Sequence, residues 1–373
     1  MGPLAGIRIV EFAGIGPGPM AAMLLADLGA EVIRVDRLEP SGLGVDKPMR
    51  FDLLLRGRGA IALDLKHPDG IELALSLLEA ADGCIEGFRP GTMERLGLGP
   101  EVALARNPRL VYGRMTGFGQ SGPLAKAAGH DLNYIAISGA LAAIGRQGQA
   151  PTPPMNLLGD FAGGSLYLVV GMLAAFLEAK TSGRGQVVDA AVSDGTAHLM
   201  TMIYGLHAAG MWKLERGTNL LDGGSPIYEV YACADGRFVS IAPIELKFRR
   251  ELFQRLGLEA EPNASDLGEK LTALFKTRTS QEWCGLLEGT DACFAPVLDM
   301  ADAPAHRHNA ERGTFVEVEG VVQPAAAPRF SRSEPAPPKP PENPGEGGRR
   351  TMLDWGIGEA RIAACEASGV LGR

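Results

Sequence analysis

Five short apolar runs punctuate the first 115 residues: IRIVEF (7–12), EVIRVD (31–36), IALDL (61–65), GCIEGF (83–88) and RLVYGRM (109–115). Runs of this length, bounded by glycine and polar residues, suit strands buried on both faces. Helical stretches alternate with them, near 21–28, after Pro68 at a first-turn position, and over 101–106. Repeated strand-helix alternation demands a parallel sheet covered by helices on both sides, and such sheets bind ligands at the carboxyl ends of their strands. The expected class is therefore α/β, with a large Rossmann-like domain. The first turn, however, spells Gly14-x-Gly16-x-Gly18 rather than GxGxxG, and Pro17 and Pro19 remove amides that would hold a pyrophosphate. A tight strand-to-helix turn explains it better than NAD binding.

At 373 residues the chain is long enough for two domains. A net charge of −8 argues against nucleic acid or an anionic membrane as the main partner. The five cysteines are odd in number and lack CxxC spacing, which points to reduced thiols in a cytoplasmic protein without a zinc site. The N-terminus runs straight into a strand pattern, so no signal peptide is expected. The apolar run 165–176 is shorter than the roughly 20 residues a bilayer requires, and is expected to be a buried helix. Texture changes near residue 225. YEVYACADGRFVSIAPI (228–244) is a hairpin pattern around Asp235-Gly236, a dipeptide suited to a type I′ turn, and helices follow near 245–256 and 267–277. The expected division is a large domain over 1–195, a linker helix over 196–224, a smaller α+β domain over 225–310, a proline-rich extended linker over 311–348, and a C-terminal helix over 349–373 returning to the large domain.

Two potential proton carriers stand at helix starts in the stretch 129–164. His130 follows Gly129 and opens one apolar helix; it is either a base kept neutral by the positive helix end or a first-turn histidine without chemistry. Asp160 follows Gly159 and precedes a longer apolar run. Its plain reading is an N-cap. Its functional reading is an acid beside free first-turn amides, with Gly163 and Gly164 permitting close approach of an oxyanion. The remaining histidines fit packing or surface roles, and His306 and His308 lack further ligands for a metal. Arg37, Arg56, Arg58, Lys66, Arg89 and Arg95 lie at strand ends or in the loops that follow, where together they can hold a phosphate-rich ligand. Glu245 alone is an ordinary surface carboxylate.

With these residues in view, the chain resembles the family III CoA-transferase superfamily and, within it, the racemase branch acting on 2-methylacyl-CoA thioesters. The blocks that carry the resemblance run from end to end: LAGIRIVEFAGIGPGPMAAMLLADLGAEVIRVDR, IALDLK, IEGFRPGTMERLGLGP, RMTGFGQSGP, GHDLNYIAISGAL, NLLGDFAGGS, GRGQVVDAAVSDG and GGSPIYEVYACADGRFVSI. The histidine of GHDLNY separates the racemases from the transferases. The resemblance implies an interlocked homodimer, with the active site between the large domain of one subunit and the small domain of the other. It implies that His130 and Asp160 transfer the protons and that Glu245 orients His130, although IELKF stands here where relatives tend to have IEPQF. Arg37, Leu63, Asp64, Leu65, Lys66, Gly87, Phe88, Arg89, Pro90, Gly91, Arg95, Gly129, Asp131 and Tyr134 then form the CoA-binding set. The acyl-CoA is the substrate, and neither a cofactor nor a metal is required. Met200, Met202 and Met211 are candidates for an adaptable acyl surface, with a plain core role as the alternative. The main rival is a CoA-transferase in which Asp160 attacks the acyl-CoA and forms a mixed anhydride, leaving His130 without a task. A non-catalytic acyl-CoA-binding or NAD-binding protein is the third reading.

Overall fold

The computed structural model describes residues 2–39, 42–258 and 265–372. The chain divides into two units, one comprising Met1–Ser138, Met155–Leu199 and Gly313–Arg373, the other Gly139–Pro154 and Met200–Arg312. In chain order the strands are β1 (Arg8–Phe12), β2 (Glu31–Asp36), β3 (Gly59–Leu63), β4 (Gly83–Glu86), β5 (Val111–Thr116), β6 (Val187–Ala191), β7 (Glu229–Ala232), β8 (Phe238–Ile241), β9 (Phe294–Val297), β10 (Phe315–Val318), β11 (Val321–Pro324) and β12 (Leu371–Gly372).

The first unit holds a seven-stranded sheet in the order β12-β3-β2-β1-β4-β5-β6, parallel except for β12. Successive residues feed opposite faces, as the pleat requires. Val10 and Phe12 enter one core and Ile9 the other, while Cys84 and Ile85 divide in the same way. This double burial is why the strands are nearly continuous apolar runs. One face is covered by the helices Pro17–Asp27 and Leu166–Ser182, through Ala21, Leu25, Leu168 and Met172. The other is covered by Pro68–Glu79 and the C-terminal helices, through Leu73, Leu77, Met352 and Ile362. The apolar run at 165–176 is thus a core helix of this unit, although the continuous helical stretch containing it, Met155–Ser182, is 28 residues long and passes for a membrane span by length and composition.

In the second unit β7, β8 and β9 form an antiparallel sheet, on which Leu246–Leu256, Leu267–Phe275 and Ser280–Leu287 pack around Phe253, Phe275 and Trp283. The hairpin is present, but its turn is not type I′. Gly236 alone has positive φ, and the Asp235 carboxylate instead accepts bonds from the Ser280 amide at 3.0 Å and hydroxyl at 2.9 Å. Asp235 thus anchors the start of the helix Ser280–Leu287 and lies outside the left-handed region that a type I′ turn needs.

Several boundaries move. In place of the expected linker helix over 196–224 there are two helices, Val192–Leu199 and Thr201–Ala208, broken at Met200 where the chain passes from one unit to the other. Residues 139–154 belong with the second unit. The proline-rich segment is not simply an extended linker: β10 and β11 pair in it around Glu319 and Gly320, both at positive φ. The hairpin is tied down because buried Gln323 accepts a bond from Arg56 at 2.7 Å, and Arg56 in turn pairs with Asp27. The C-terminal segment forms two helices, Gly348–Asp354 and Glu359–Ala367, before β12 closes the sheet edge beside β3.

Candidate active site

Strand order reverses between β1 and β4, the switch point at which loops leave a parallel sheet in opposite directions and open a crevice. A cavity of about 600 Å³ lies there. Its wall includes the turn after β1 (Gly14–Pro19), Gly87–Pro90 after β4, Met115–Phe118 at the end of β5, and then Gly129, His130, Asn133, Tyr134 and Asp160. Both proposed proton carriers therefore line one cavity.

His130 is the N-cap of the helix Asp131–Ile137, and its amide donates to Asn133 Oδ1 at 3.1 Å. Behind it the Tyr134 hydroxyl donates to the Gly129 carbonyl, and the Tyr134 ring meets Phe118 edge-on at 4.8 Å. The ring lies so close to Gly117 that any side chain there would overlap it, which accounts for the glycine at that position. Burial raises the Tyr134 phenol above its ordinary range.

Asp160 is not an N-cap. The chain is already helical before it, and Asp160 is the third residue of a π-helical turn, Leu158–Ser165, a rare geometry that is frequent at functional sites. Its amide is not free for an oxyanion, because it donates to Asp131 Oδ1 at 2.6 Å. Nor do Gly163 and Gly164 open space for a ligand. A Cβ at Gly163 would overlap Thr196, and one at Gly164 would crowd Val192 and Pro17, so these glycines let neighbouring segments pack closely. Ser165 Oγ donates to the carbonyls of Pro17 at 2.8 Å and Asp160 at 3.0 Å, fastening the π turn to the turn after β1. There Gly16 has φ 68° and faces the Asp160 carboxylate, with its absent Cβ only 3.1 Å from Oδ2. The glycine-rich first turn is thus both a tight turn and a wall of the site.

The Asp160 carboxyl is pushed up to about 6, chiefly by burial and then by the negative charge of Asp131, against a hydrogen bond from Asn156 and the charge of His130. A carboxyl in that range is populated in both forms near neutral pH, as a group that must give and take a proton requires.

Of the CoA-binding set, Gly87, Phe88, Arg89, Pro90, Gly129 and Tyr134 line the cavity. The loop Gly87–Pro90 is held by Glu86, which accepts the Phe88 amide at 2.8 Å and Arg114 Nε at 2.8 Å. Arg37, Asp64, Leu65 and Lys66 follow β2 and β3 but are not part of its wall; Arg37 and Lys66 are exposed, and Asp64 turns back to accept the Lys66 amide at 2.9 Å. The Leu63 side chain is buried in the sheet core and is unavailable to a ligand. Gly91 caps the short helix Thr92–Arg95, and Arg95 donates to Thr92 Oγ1 at 3.0 Å. Asp131 is buried and bonded to Asp160, so its side chain does not line the cavity. Glu245 is exposed in the second unit, as N-cap of Leu246–Leu256. Met200 lines a separate cavity of about 790 Å³ within that unit, and Met202 and Met211 are exposed. Asn133 and Asn156 escaped the sequence reading. Asn133 had a signal, its place three residues after a helix N-cap, whereas Asn156, four residues before Asp160 in a proline-rich loop, had none.

The switch-point cavity in a Rossmann-like unit, carrying a histidine and an aspartate, agrees with the relationships of the chain. It belongs to the CoA-transferase family III, whose pattern matches residues 4–349. It is 43% identical over 370 residues to alpha-methylacyl-CoA racemase from Mus musculus, covering 96% of this chain and 95% of that protein. It is 41% identical over 372 residues to the protein of the same name from Homo sapiens, at 96% and 95% coverage. A CAIB/BAIF family protein from Brucella suis superposes with a TM-score of 0.79 at 25% identity, covering 95% of this chain and 99% of that one.

Proposed function

We propose that this chain is an α-methylacyl-CoA racemase, interconverting (2R)- and (2S)-2-methylacyl-CoA. The observation that carries the reading is the presence of His130 and Asp160 on the wall of one switch-point cavity, with the Asp160 carboxyl raised to about 6. The carbon α to a thioester is a weak acid, and inverting it needs a base on one face and an acid on the other. In one direction neutral His130 takes the α-proton, the C–H electron pair moves onto the thioester oxygen as an enolate, and protonated Asp160 returns a proton to the opposite face. In the reverse direction the aspartate is the base and the imidazolium the acid. Positioned proton transfer contributes about 10²–10⁴-fold per group. Arg89, an exposed cation on the cavity wall, is suited to a CoA phosphate.

A homodimer is part of the proposal, with Glu245 of a second copy orienting His130. Co-expression of H130A and E245A chains tests it. Each variant alone is expected to be inactive, whereas mixed dimers regain one intact site. Failure to regain activity refutes the shared site.

The reaction itself is tested by incubating the protein with a single (2R)-2-methylacyl-CoA in D₂O without an acceptor acid. Deuterium is expected at the α-carbon of both epimers. Transfer of CoA to an added acid without α-deuteration would instead establish a transferase in which Asp160 forms the mixed anhydride.

A further inference from the structure

Asp131 is the chain neighbour of His130, yet its carboxylate points to a different partner. It is 8% exposed, and Oδ1 accepts the Asp160 amide at 2.6 Å, with the Gly159 amide also directed at the carboxylate. The residue before Asp160 is shaped for this contact. A Cβ at Gly159 would overlap both Asp131 Oδ1 and the Ile135 side chain, so only glycine seats the carboxylate against the π turn. One side chain thus joins the two halves of the site, covalently adjacent to one proton carrier and hydrogen-bonded to the backbone of the other.

We infer that the Asp131 side chain is a positioning group that sets the Asp160 backbone relative to His130. The inference rests on the racemase reading only for the kinetic half of its test. The Asp160 amide donates to a carboxylate at 2.6 Å, and a bond to an ionised acceptor is about twice as strong as a neutral one. The Asp131 charge has a second effect, because it acts on the Asp160 carboxyl together with burial and opposes the influence of Asn156 and His130. Tyr134 and Arg89 are the other titratable groups on the cavity wall near them.

Two substitutions separate these effects. Asp131→Asn keeps an oxygen acceptor for the Asp160 amide and removes the charge. Asp131→Ala removes both. In protein labelled with ¹³C at aspartate carboxyls, with Asp160→Asn assigning the resonance, the Asp160 midpoint is expected to move to lower pH in Asp131→Asn. In α-deuteration assays Asp131→Ala is expected to lose about 10²-fold in kcat, the size of loss that a displacement of ~1 Å produces, with KM for the acyl-CoA nearly unchanged. Asp131→Asn is expected to recover most of that kcat. Should Asp131→Ala fail to fold, Asp131→Asn still carries the test: its Asp160 backbone amide resonance is expected to stay in place and its KM to stay near wild type, and a displaced resonance or a raised KM overturns the inference. A kcat in Asp131→Asn as low as in Asp131→Ala also overturns it, as does a rise in KM at constant kcat in Asp131→Ala. A wild-type protein that shows no α-deuteration would refute the racemase reading, and the positioning role is then read from the Asp160 amide resonance alone, expected to shift in Asp131→Ala and not in Asp131→Asn; no shift in Asp131→Ala overturns it.

Discussion

Replacing Asp160 by asparagine is expected to make the protein more stable and nearly inactive. The carboxyl is raised from its ordinary 3.8 to about 6, roughly a hundredfold in proton affinity, and each tenfold corresponds to about 1.4 kcal/mol of difference between protonation states. The full conversion is an upper limit of ~3 kcal/mol. Asp160 is half-buried and keeps contact with water, so about 1–2 kcal/mol is a fairer expectation. The sign follows from linkage. The folded state binds the proton more tightly than the unfolded state, so folding carries no ionisation penalty below about pH 4, and the penalty grows as pH rises through about 6. Asparagine is never charged and its oxygen can still accept the Asn156 bond. Urea midpoints for D160N and wild type should therefore nearly coincide near pH 4 and separate in favour of D160N at pH 8, while kcat falls by about 10²–10⁴-fold. A stability difference that is absent at pH 8, or equal at both pH values, would refute the assignment of burial and the Asp131 charge as the source of the shift.

His130→Ala should abolish α-deuteration from one epimer far more than from the other, because each carrier serves one face; equal wild-type-like rates from both would remove the histidine from the mechanism. Arg89→Ala should raise KM for the acyl-CoA by roughly 10-fold or more with little change in kcat, since a charge-assisted bond is worth about 1.5–3 kcal/mol; steady-state kinetics with free CoA as competitor reads the loss directly. Gly159→Ala should destabilise by about 1–3 kcal/mol, as overpacking does, and lower kcat as well, because the new methyl displaces the Asp131 carboxylate. A thermal melt together with a deuteration assay checks both.

The repeated apolar runs determined the parallel sheet, because strands buried on both faces have no polar face to interrupt them. His130 was legible as a residue at a helix start, and the histidine within GHDLNY distinguished the branch of the family. Other features depended on partners far away in the chain. The order β3-β2-β1-β4-β5-β6, and with it the switch-point cavity, arises from pairings that no local pattern encodes. The β10–β11 hairpin was obscured by neighbouring prolines, and what holds it is a buried arginine more than 250 residues away in sequence, as the 267-residue separation of Arg56 and Gln323 shows. Asp160 looked like a cap because helix starts are read from the first polar residue before an apolar run, whereas tertiary packing extends the helix backward as a π turn. The resemblance placed Asp131 with the ligand-binding residues; where its side chain goes was not legible, and the fold turns it toward the Asp160 amide. What was readable along the chain is thus the kind of sheet, the family and the two residues proposed as proton carriers. That they share a cavity, that Gly16 and Asn156 border one of them, and that the Asp131 carboxylate accepts the Asp160 amide came from the folded chain, because hydrogen bonds and close approaches are properties of positions in space.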